Sequence, residues 1–279
     1  MTGSLPRPSC NAHCHVFGPA GLFPFDQLSP PPTAEAPKEA LFALNDALGL
    51  ERCVIVQSKV HGYDNRATED AIAARPATYR GIALVPTDVS DAELKRLDVA
   101  GFRGVRFNYM HHLGEGDSVE AVLRLAGRIA RLGWHLQVHG DPSVVLEEIV
   151  PCLLKGPVPV VIDHIGRIDA ALGLDQHHFD AMRRLMNHPA CWMKVSGIDR
   201  ITRKGPPYAD AVPFARTLVS EYTDRVVWGN DWPHPNHQGP IPDDRELVSR
   251  ISDIAPEEAA RHALMVSNPA RLYGFGENV

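Results

Sequence analysis

The sequence predicts an α/β protein, and within that class a (β/α)8 (TIM) barrel, on three observations. Eight short apolar segments rich in β-branched residues recur along the 279 residues, and segments with helical periodicity lie between them. Loops rich in Pro and Gly follow the first, seventh and eighth of these segments, as expected for the walls of a site at the barrel rim. One barrel commonly has about 250 residues, so residues 1–279 are interpreted as a single domain.

Each predicted strand is a run of four or more mostly apolar residues bounded by polar or turn-forming residues. In chain order the runs begin at residues 10, 52, 80, 102, 134, 158, 191 and 225, and they read CNAHCHVF, RCVIVQS, RGIALVP, FRGVRFNY, WHLQVHG, VPVVIDHIG, CWMKVSG and RVVWGND. A doubly wound sheet is the alternative arrangement for such a pattern. The chain has no Gly-rich phosphate loop that would support it.

The segments between the strands have the spacing of amphipathic helices. PKEALFALNDALGL, DAELKRLDVAG and SVEAVLRLAGRIARLG are the clearest of them. Ser90 precedes the second and has Glu93 three residues on, which is the pattern of a capping box. Gly133 follows the third and is placed to end that helix in a left-handed conformation.

The composition excludes several classes of protein. The 28 Lys and Arg are scattered among 34 acidic residues, the net charge is −6, and no basic tract indicates nucleic-acid binding. No apolar run is long enough to span a membrane, and the N-terminus lacks the pattern of a signal peptide, so we expect a cytoplasmic protein that binds no membrane. Homo-oligomer formation is left open. Five widely spaced cysteines are expected to be reduced thiols, chiefly in the core.

Histidines occur where the predicted strands end. His13 and His15 are two residues apart on the first strand, so their side chains face the same way and can share a ligand. Further polar residues end later strands, and these are Arg106, His139, His164 and Asp231. Because the carboxyl ends of barrel strands meet at one rim, we expect all of these side chains to converge.

Three imidazoles and one carboxylate form a donor set suited to zinc. His13, His15, His139 and Asp231 would leave room for water at one Zn²⁺ ion, which lowers the pKa of that water. Asp231 would then orient the hydroxide or take its proton, and His164 would polarise a carbonyl or protonate a leaving oxygen. A carboxylate surrounded by imidazoles can also activate water without a metal, so the metal-free mechanism is the alternative.

Six motifs taken together resemble the amidohydrolase superfamily, in the lactonase branch that contains 2-pyrone-4,6-dicarboxylate hydrolase. They are HCHVFGP, RGVRFN, VIDHIGR, KVSG, GNDWPHPN and NPARLYGF, and they run nearly from end to end of the chain. The resemblance implies a distorted (β/α)8 barrel, attack of water on a carbonyl, and Asp231 as the base. It also implies that His13, His15 and His164 are active-site histidines. By the same resemblance, Arg106 and Arg200 hold substrate carboxylates.

The sequence departs from that branch at three positions. His139 stands where the dicarboxylate hydrolase, which the resemblance suggests is metal-free, has a tyrosine, and the wider superfamily has a metal-binding histidine there. His112 replaces an arginine that grips a substrate carboxylate, and Lys59 replaces a small hydroxyl residue. These differences favour zinc and a related anionic lactone. The fourth strand offers no lysine or glutamate, so a two-metal site is not expected. His61 is a further candidate for a hydrogen bond to substrate.

The leading hypothesis is therefore a hydrolase of aromatic-compound breakdown that opens a carboxylated lactone, such as 2-pyrone-4,6-dicarboxylate or a muconolactone. A decarboxylase or C–C hydrolase with one metal is the alternative within the same superfamily. A barrel that only binds anions is the third hypothesis, and the combination of a base with several imidazoles argues against it.

Overall fold

Eight parallel strands form one sheet in which each strand pairs with the next in sequence, as the (β/α)8 prediction requires. The computed structural model describes residues 5–27, 29, 32, 34–111, 116–237 and 239–276. The strands are β1 (Cys10–Cys14), β2 (Arg52–Val56), β3 (Tyr79–Ala83), β4 (Phe102–Tyr109), β5 (His135–Gly140), β6 (Val160–Ile162), β7 (Cys191–Lys194) and β8 (Val226–Val227). The prediction of eight strands is confirmed.

The first and last strands close the barrel through a few hydrogen bonds. The Ala12 N–H donates to the carbonyl oxygen of Trp228 at 2.8 Å, and the Asn11 side chain donates to that of Asn230, also at 2.8 Å. The sheet is irregular on both sides of β1, because the β1–β2 register shifts between Asn11 and Cys14 and β8 has two residues.

Helices surround the sheet. They are α1 (Lys38–Leu48), α2 (Arg66–Ala74), α3 (Asp91–Val99), α4 (Val119–Ile129), α5 (Val150–Leu153), α6 (His177–Met186), α7 (Ile198–Ile201), α8 (Val212–Glu221), α9 (Asp244–Ser249), α10 (Ile251–Ile254), α11 (Glu258–His262) and α12 (Asn268–Tyr273). Short 3₁₀ turns span Lys59–His61, Ala130–Leu132, His164–Arg167 and Ala170–Leu172, and π-helical turns span Val144–Ile149 and Ala263–Ser267. No helix in the described ranges is both long and apolar enough to cross a lipid bilayer.

The predicted helix ends have clear physical causes. The Ser90 hydroxyl accepts a hydrogen bond from the Glu93 N–H at 3.1 Å and so caps α3. The other half of the predicted capping box is replaced by an ion pair, because the Glu93 carboxylate contacts Arg96 at 2.7 Å. Gly133 has a φ of +69°, the left-handed conformation that glycine adopts without a steric penalty.

Two apolar clusters fill the molecule. The larger lies between the strands and the helices and includes Cys14, whose sulfur is 3.2 Å from that of Cys53. The smaller contains Tyr273 and Phe275 of the C-terminal segment, and Phe275 lies under the Arg52 guanidinium at the start of β2. The C-terminal segment therefore plugs the end of the barrel at which the strands begin. All five cysteines are free thiols, as predicted.

We expect Leu125→Ala to lower the free energy of unfolding by about 2–5 kcal/mol, because the fully buried side chain on α4 would leave a cavity. Arg124→Ala alters an exposed neighbour on the same helix and should change the free energy of unfolding by less than about 0.5 kcal/mol. Urea unfolding of both variants measures the difference. Equal losses would show that burial of this helix face does not stabilise the barrel.

Candidate active site

Three imidazoles converge on the carboxylate of Asp231 at the carboxyl ends of the strands. His15 Nε2 lies 3.1 Å and His13 Nε2 3.5 Å from Asp231 Oδ1. His164 Nε2 lies 3.8 Å from Asp231 Oδ2. All four side chains are at most 3% exposed. Residues from three parts of the chain thus share one buried point, as the barrel prediction requires.

The backbone at the β1–β8 seam sets this geometry. The Asp231 N–H donates to the His13 carbonyl oxygen at 2.9 Å, and Asp231 has a φ of +64°, a strained conformation for a residue with a side chain. A Cβ on Gly229 would lie 2.4 Å from the His13 backbone nitrogen. Glycine is required there because the two chain segments approach so closely.

His15 presents an unprotonated nitrogen to Asp231 when it is neutral. Its Nδ1 lies 2.7 Å from the carbonyl oxygen of Val56. A carbonyl can only accept a hydrogen bond, so Nδ1 carries the proton and Nε2 keeps its lone pair. Because Nε2 and Asp231 Oδ1 are then both acceptors, a proton or a metal ion between them would satisfy both.

Arg200 neutralises the other side of the carboxylate. Its Nη2 and Nε lie 2.5 and 2.6 Å from Asp231 Oδ2, and its Nη1 donates to the Pro235 carbonyl oxygen at 2.9 Å. Burial opposes the ionisation of Asp231, but the Arg200 guanidinium outweighs it and holds the pKa of the carboxyl well below its ordinary value. Asp231 is therefore ionised, with Oδ1 left for a ligand.

A second buried carboxylate, Asp163, lies beneath the histidines and was not predicted. Its Oδ2 accepts from Gln137 Nε2 at 2.9 Å and lies 3.0 Å from Arg106 Nε, and its Oδ1 lies 3.6 Å from Lys194 Nζ. Burial opposes its ionisation, yet the charges of Lys194 and Arg106 hold its pKa well below the ordinary value. The available signal was a charged residue inside each of the apolar segments VIDHIGR and CWMKVSG.

His13 lies between the two carboxylates. Its Nδ1 is 3.2 Å from Lys194 Nζ and 3.4 Å from Asp163 Oδ1. Burial and the Lys194 charge lower the pKa of His13 to about 3, so the ring is neutral. Burial also lowers the pKa of Lys194, to about 8, which leaves it mainly protonated at neutral pH.

His139 and His164 lie side by side. The rings of His139 and His164 are 5.5 Å apart, edge to face. His164 Nδ1 contacts the Ser196 hydroxyl at 3.0 Å, and His139 Nδ1 contacts the Asn108 side-chain oxygen at 3.2 Å. Burial is the main cause that lowers the pKa of both histidines well below the ordinary value, so both rings are neutral.

Arg167 is a site residue that the sequence interpretation missed. It follows β6 with a φ of +57°, and burial, with the charge of Arg200 nearby, lowers its pKa. Its guanidinium donates no hydrogen bond to any residue within the described ranges. The signal was present in the motif VIDHIGR, in which only His164 is predicted as a site residue.

Two of the predicted substrate contacts, Lys59 and His61, lie in the 3₁₀ turn that follows β2. Lys59 is half-buried in the turn that follows β2. His61, in the same turn, has both ring nitrogens bonded to backbone, at 3.0 Å to the Pro24 oxygen and 3.1 Å to the Gly18 N–H. A substrate contact by His61 would have to replace one of these bonds. His112 lies outside the described residues.

Two sets of residues within the described ranges could hold a metal ion, His13 with His15 and Asp231, and His13 with Asp163 and His164. In each set one ligand atom per residue lies within 4.8 Å of the others. The first set contains three of the four predicted zinc ligands, and His139 belongs to neither. His13 Nε2 is buried without a hydrogen-bond partner, and His15 Nε2 has a free lone pair. The first set therefore fits one metal ion.

Comparison with known proteins supports the resemblance seen in the motifs. The model of the amidohydrolase family matches residues 10–275. A 2-pyrone-4,6-dicarboxylate hydrolase of Comamonas testosteroni is 43% identical over 278 residues, which cover 96% of this chain and 91% of that protein. A 4-sulfomuconolactone hydrolase of Rhizobium radiobacter is 37% identical over 274 residues, 97% of this chain and 91% of that protein.

A solved structure extends the similarity to three dimensions. It is a crystal structure, with citric acid bound, of what is called a probable 2-pyrone-4,6-dicarboxylic acid hydrolase from Acinetobacter baumannii. Its TM-score to this chain is 0.85 at 25% identity, covering 96% of this chain and 100% of that one.

Proposed function

This chain belongs to the amidohydrolase family, and from that membership and its site we propose that it is a hydrolase that opens a carboxylated lactone. Water adds to the ring carbonyl, the bond from the carbonyl carbon to the ring oxygen breaks, and a hydroxy acid results. The observation that carries the proposal is the convergence of His13, His15 and His164 on the ionised Asp231, with guanidinium groups around it.

The guanidinium groups favour an anionic substrate. Arg106 forms an ion pair with Asp163 through its Nε, and its two terminal nitrogens donate no hydrogen bond within the described residues, so they could bind a ligand. Arg167 has no partner in the described part of the chain, and Arg200 reaches Asp231 from the opposite side. A guanidinium binds a planar carboxylate through two parallel hydrogen bonds. The two curated relatives are named for lactones that carry a carboxylate or a sulfonate, which supports the same substrate class here.

The positions of the side chains assign the proton transfers. Water bound at Asp231 Oδ1 would lose its proton to that oxygen, because Oδ2 is occupied by Arg200. His164 stands on the other side of the carboxylate, and its neutral ring would donate a hydrogen bond to the carbonyl oxygen or to the departing ring oxygen. The proton taken by Asp231 can then pass to the ring oxygen, so one water is consumed and the base is restored.

We propose Zn²⁺ as the metal that this site takes, one ion per chain. Imidazole nitrogen and carboxylate oxygen are its usual ligands, and His13 Nε2, His15 Nε2 and Asp231 Oδ1 supply them. A bound zinc ion would lower the pKa of a coordinated water toward about 7. The anion-binding and proton-transfer roles given above belong to the protein side chains.

We expect Asp231→Asn to lower kcat for 2-pyrone-4,6-dicarboxylate or a muconolactone by about 100- to 10,000-fold, because the amide cannot take a proton from water. The control is Asp224→Asn, which changes an exposed carboxylate before β8. Ultraviolet absorbance of the lactone measures turnover. Retention of most of the activity by Asp231→Asn would exclude Asp231 as the base.

Measuring the protons and CO₂ released in the same reaction separates lactone opening from the alternative chemistry. Opening one lactone releases a proton from the new carboxylic acid and no gas, whereas a decarboxylase releases CO₂. Proton release equal to substrate loss, without CO₂, is the expected result. Stoichiometric CO₂ would favour the decarboxylase instead.

Arg167→Met should raise KM for a carboxylated lactone by roughly 10- to 100-fold, the value of a hydrogen bond to a charged group. Its effect on stability should be small, because Arg167 donates no hydrogen bond within the described residues. A neutral lactone without the carboxylate is the matched control and should keep its KM. An equal rise for both lactones would argue against carboxylate binding by Arg167.

Titration of metal-free protein with zinc should end at one ion per chain. His15→Gln should abolish this binding, because it removes one of three ligands. His177→Gln changes an exposed histidine on α6 and should leave the stoichiometry unchanged. Two ions per chain, or undiminished binding by His15→Gln, would contradict the proposed site.

A further inference from the structure

We propose that Lys194 is a positioning residue that places the proton of His13 on Nε2, so that His13 is a hydrogen-bond donor in the active site. The role of that donor in catalysis rests on the proposed function. The positions of the protons do not depend on that function, because they follow from buried side chains on β1, β5 and β7 and directly after β6.

The ammonium group of Lys194 is enclosed by three acceptors. Lys194 is fully buried at the end of β7. Its Nζ lies 2.7 Å from Gln137 Oε1, 3.2 Å from His13 Nδ1 and 3.6 Å from Asp163 Oδ1. An ammonium group has three protons and no acceptor. If His13 Nδ1 carries a lone pair, two of these protons have a hydrogen-bond acceptor and the third faces the Asp163 carboxylate. A protonated Nδ1 would instead set two donors against each other.

Asp163 competes for the same nitrogen but from a longer distance. Its Oδ1 is 3.4 Å from His13 Nδ1 and has no hydrogen-bond partner of good geometry. If Lys194 were absent, Nδ1–H could donate to this carboxylate, and Nε2 would then carry the lone pair. The choice of tautomer is thus a competition between a donor, Lys194, and an acceptor, Asp163.

The two histidines at the end of β1, His13 and His15, consequently present opposite groups to Asp231. The Val56 carbonyl fixes the proton of His15 on Nδ1, which leaves Nε2 as an acceptor. Lys194 fixes the proton of His13 on Nε2, 3.5 Å from Asp231 Oδ1. A water or carbonyl oxygen between them would receive a hydrogen bond from His13, while His15 could accept a hydrogen bond from a water molecule. A donor and an acceptor side by side suit the addition of water to a carbonyl, because the donor can polarise the carbonyl while the acceptor orients the water.

The same proton opposes metal binding. A zinc ion needs the Nε2 lone pair of His13, so the proton must first move to Nδ1, where Lys194 stands. Lys194 therefore weakens zinc binding in the wild-type protein. Partners of metal-binding histidines alter metal affinity by about 10- to 100-fold, and this sets the scale of the expected effect.

The first test uses the unaltered, metal-free protein. Long-range ¹H–¹⁵N correlations of ¹⁵N-histidine-labelled protein distinguish a protonated ring nitrogen from an unprotonated one, and the signals lost in His13→Asn identify those of His13. We expect the proton on Nε2. A proton on Nδ1 would overturn the proposal, and this measurement requires no variant at Lys194.

The second test removes the competing donor. Lys194→Met keeps the length of the side chain without its charge, and we expect the His13 proton to move to Nδ1. Zinc should then bind about 10- to 100-fold more tightly by competition with a chromophoric chelator. Lys155→Met, an exposed lysine after α5, is the control and should bind zinc as the wild type does. Unchanged or weaker zinc binding by folded Lys194→Met would contradict the proposal.

The outcomes separate this proposal from the proposed function. An Nε2 proton in a protein that hydrolyses no lactone would leave the role of Lys194 intact and overturn the function. Lactone hydrolysis by a protein with the His13 proton on Nδ1 would support the proposed function and overturn the role of Lys194.

Discussion

One buried carboxylate, Asp163, ties together the strands that build the site. Side chains from β4, β5 and β7 contact it, and these are Arg106, Gln137 and Lys194. An ion pair removed from water costs free energy unless the charges are well matched and hydrogen-bonded, and the loss of one partner leaves an uncompensated charge. The barrel can therefore keep Asp163 ionised only while these strands hold their relative positions. His13, next to the same cluster, depends on that constraint.

The fold was predictable because its signals are local and repeated. Eight apolar runs, each with a helix after it, define the topology without knowledge of any long-range contact. The strand bounds were less predictable, and β8 is the clearest case, since RVVWGND contributes only Val226 and Val227 to the sheet. The residues that follow leave the regular ladder and bond to β1, where Asp231 must reach His13. The composition of this segment does not reveal that the strand ends after Val227.

The site was predictable in its residue types but less so in its pairings. The spacing of His13 and His15, and the strand-end positions of His164 and Asp231, place these side chains at one rim. Nothing local indicates that Arg200 takes Asp231 as its partner. Which residues far apart in sequence form an ion pair depends on the exact geometry of the barrel. The sequence shows which charged residues are present but not which of them pair.

The balance of charge explains how an acidic chain can present a site for anions. The chain has a net charge of −6, yet the four cations Arg106, Arg167, Lys194 and Arg200 lie near the three buried carboxylates of Asp163, Asp199 and Asp231. The surplus of positive charge lies in a buried space, where electrostatic interactions are stronger than in water.

A divalent metal would add to that surplus, and an anionic substrate would reduce it. Zinc and a carboxylated lactone should therefore assist each other's binding, and the free-energy coupling must be the same in both directions. The site without substrate is then poised between a state in which His13 donates a hydrogen bond and one in which it binds a metal. Lys194 opposes the second state both as a charge and as a hydrogen-bond donor, so the buried lysine shifts that balance toward the state in which His13 donates a hydrogen bond.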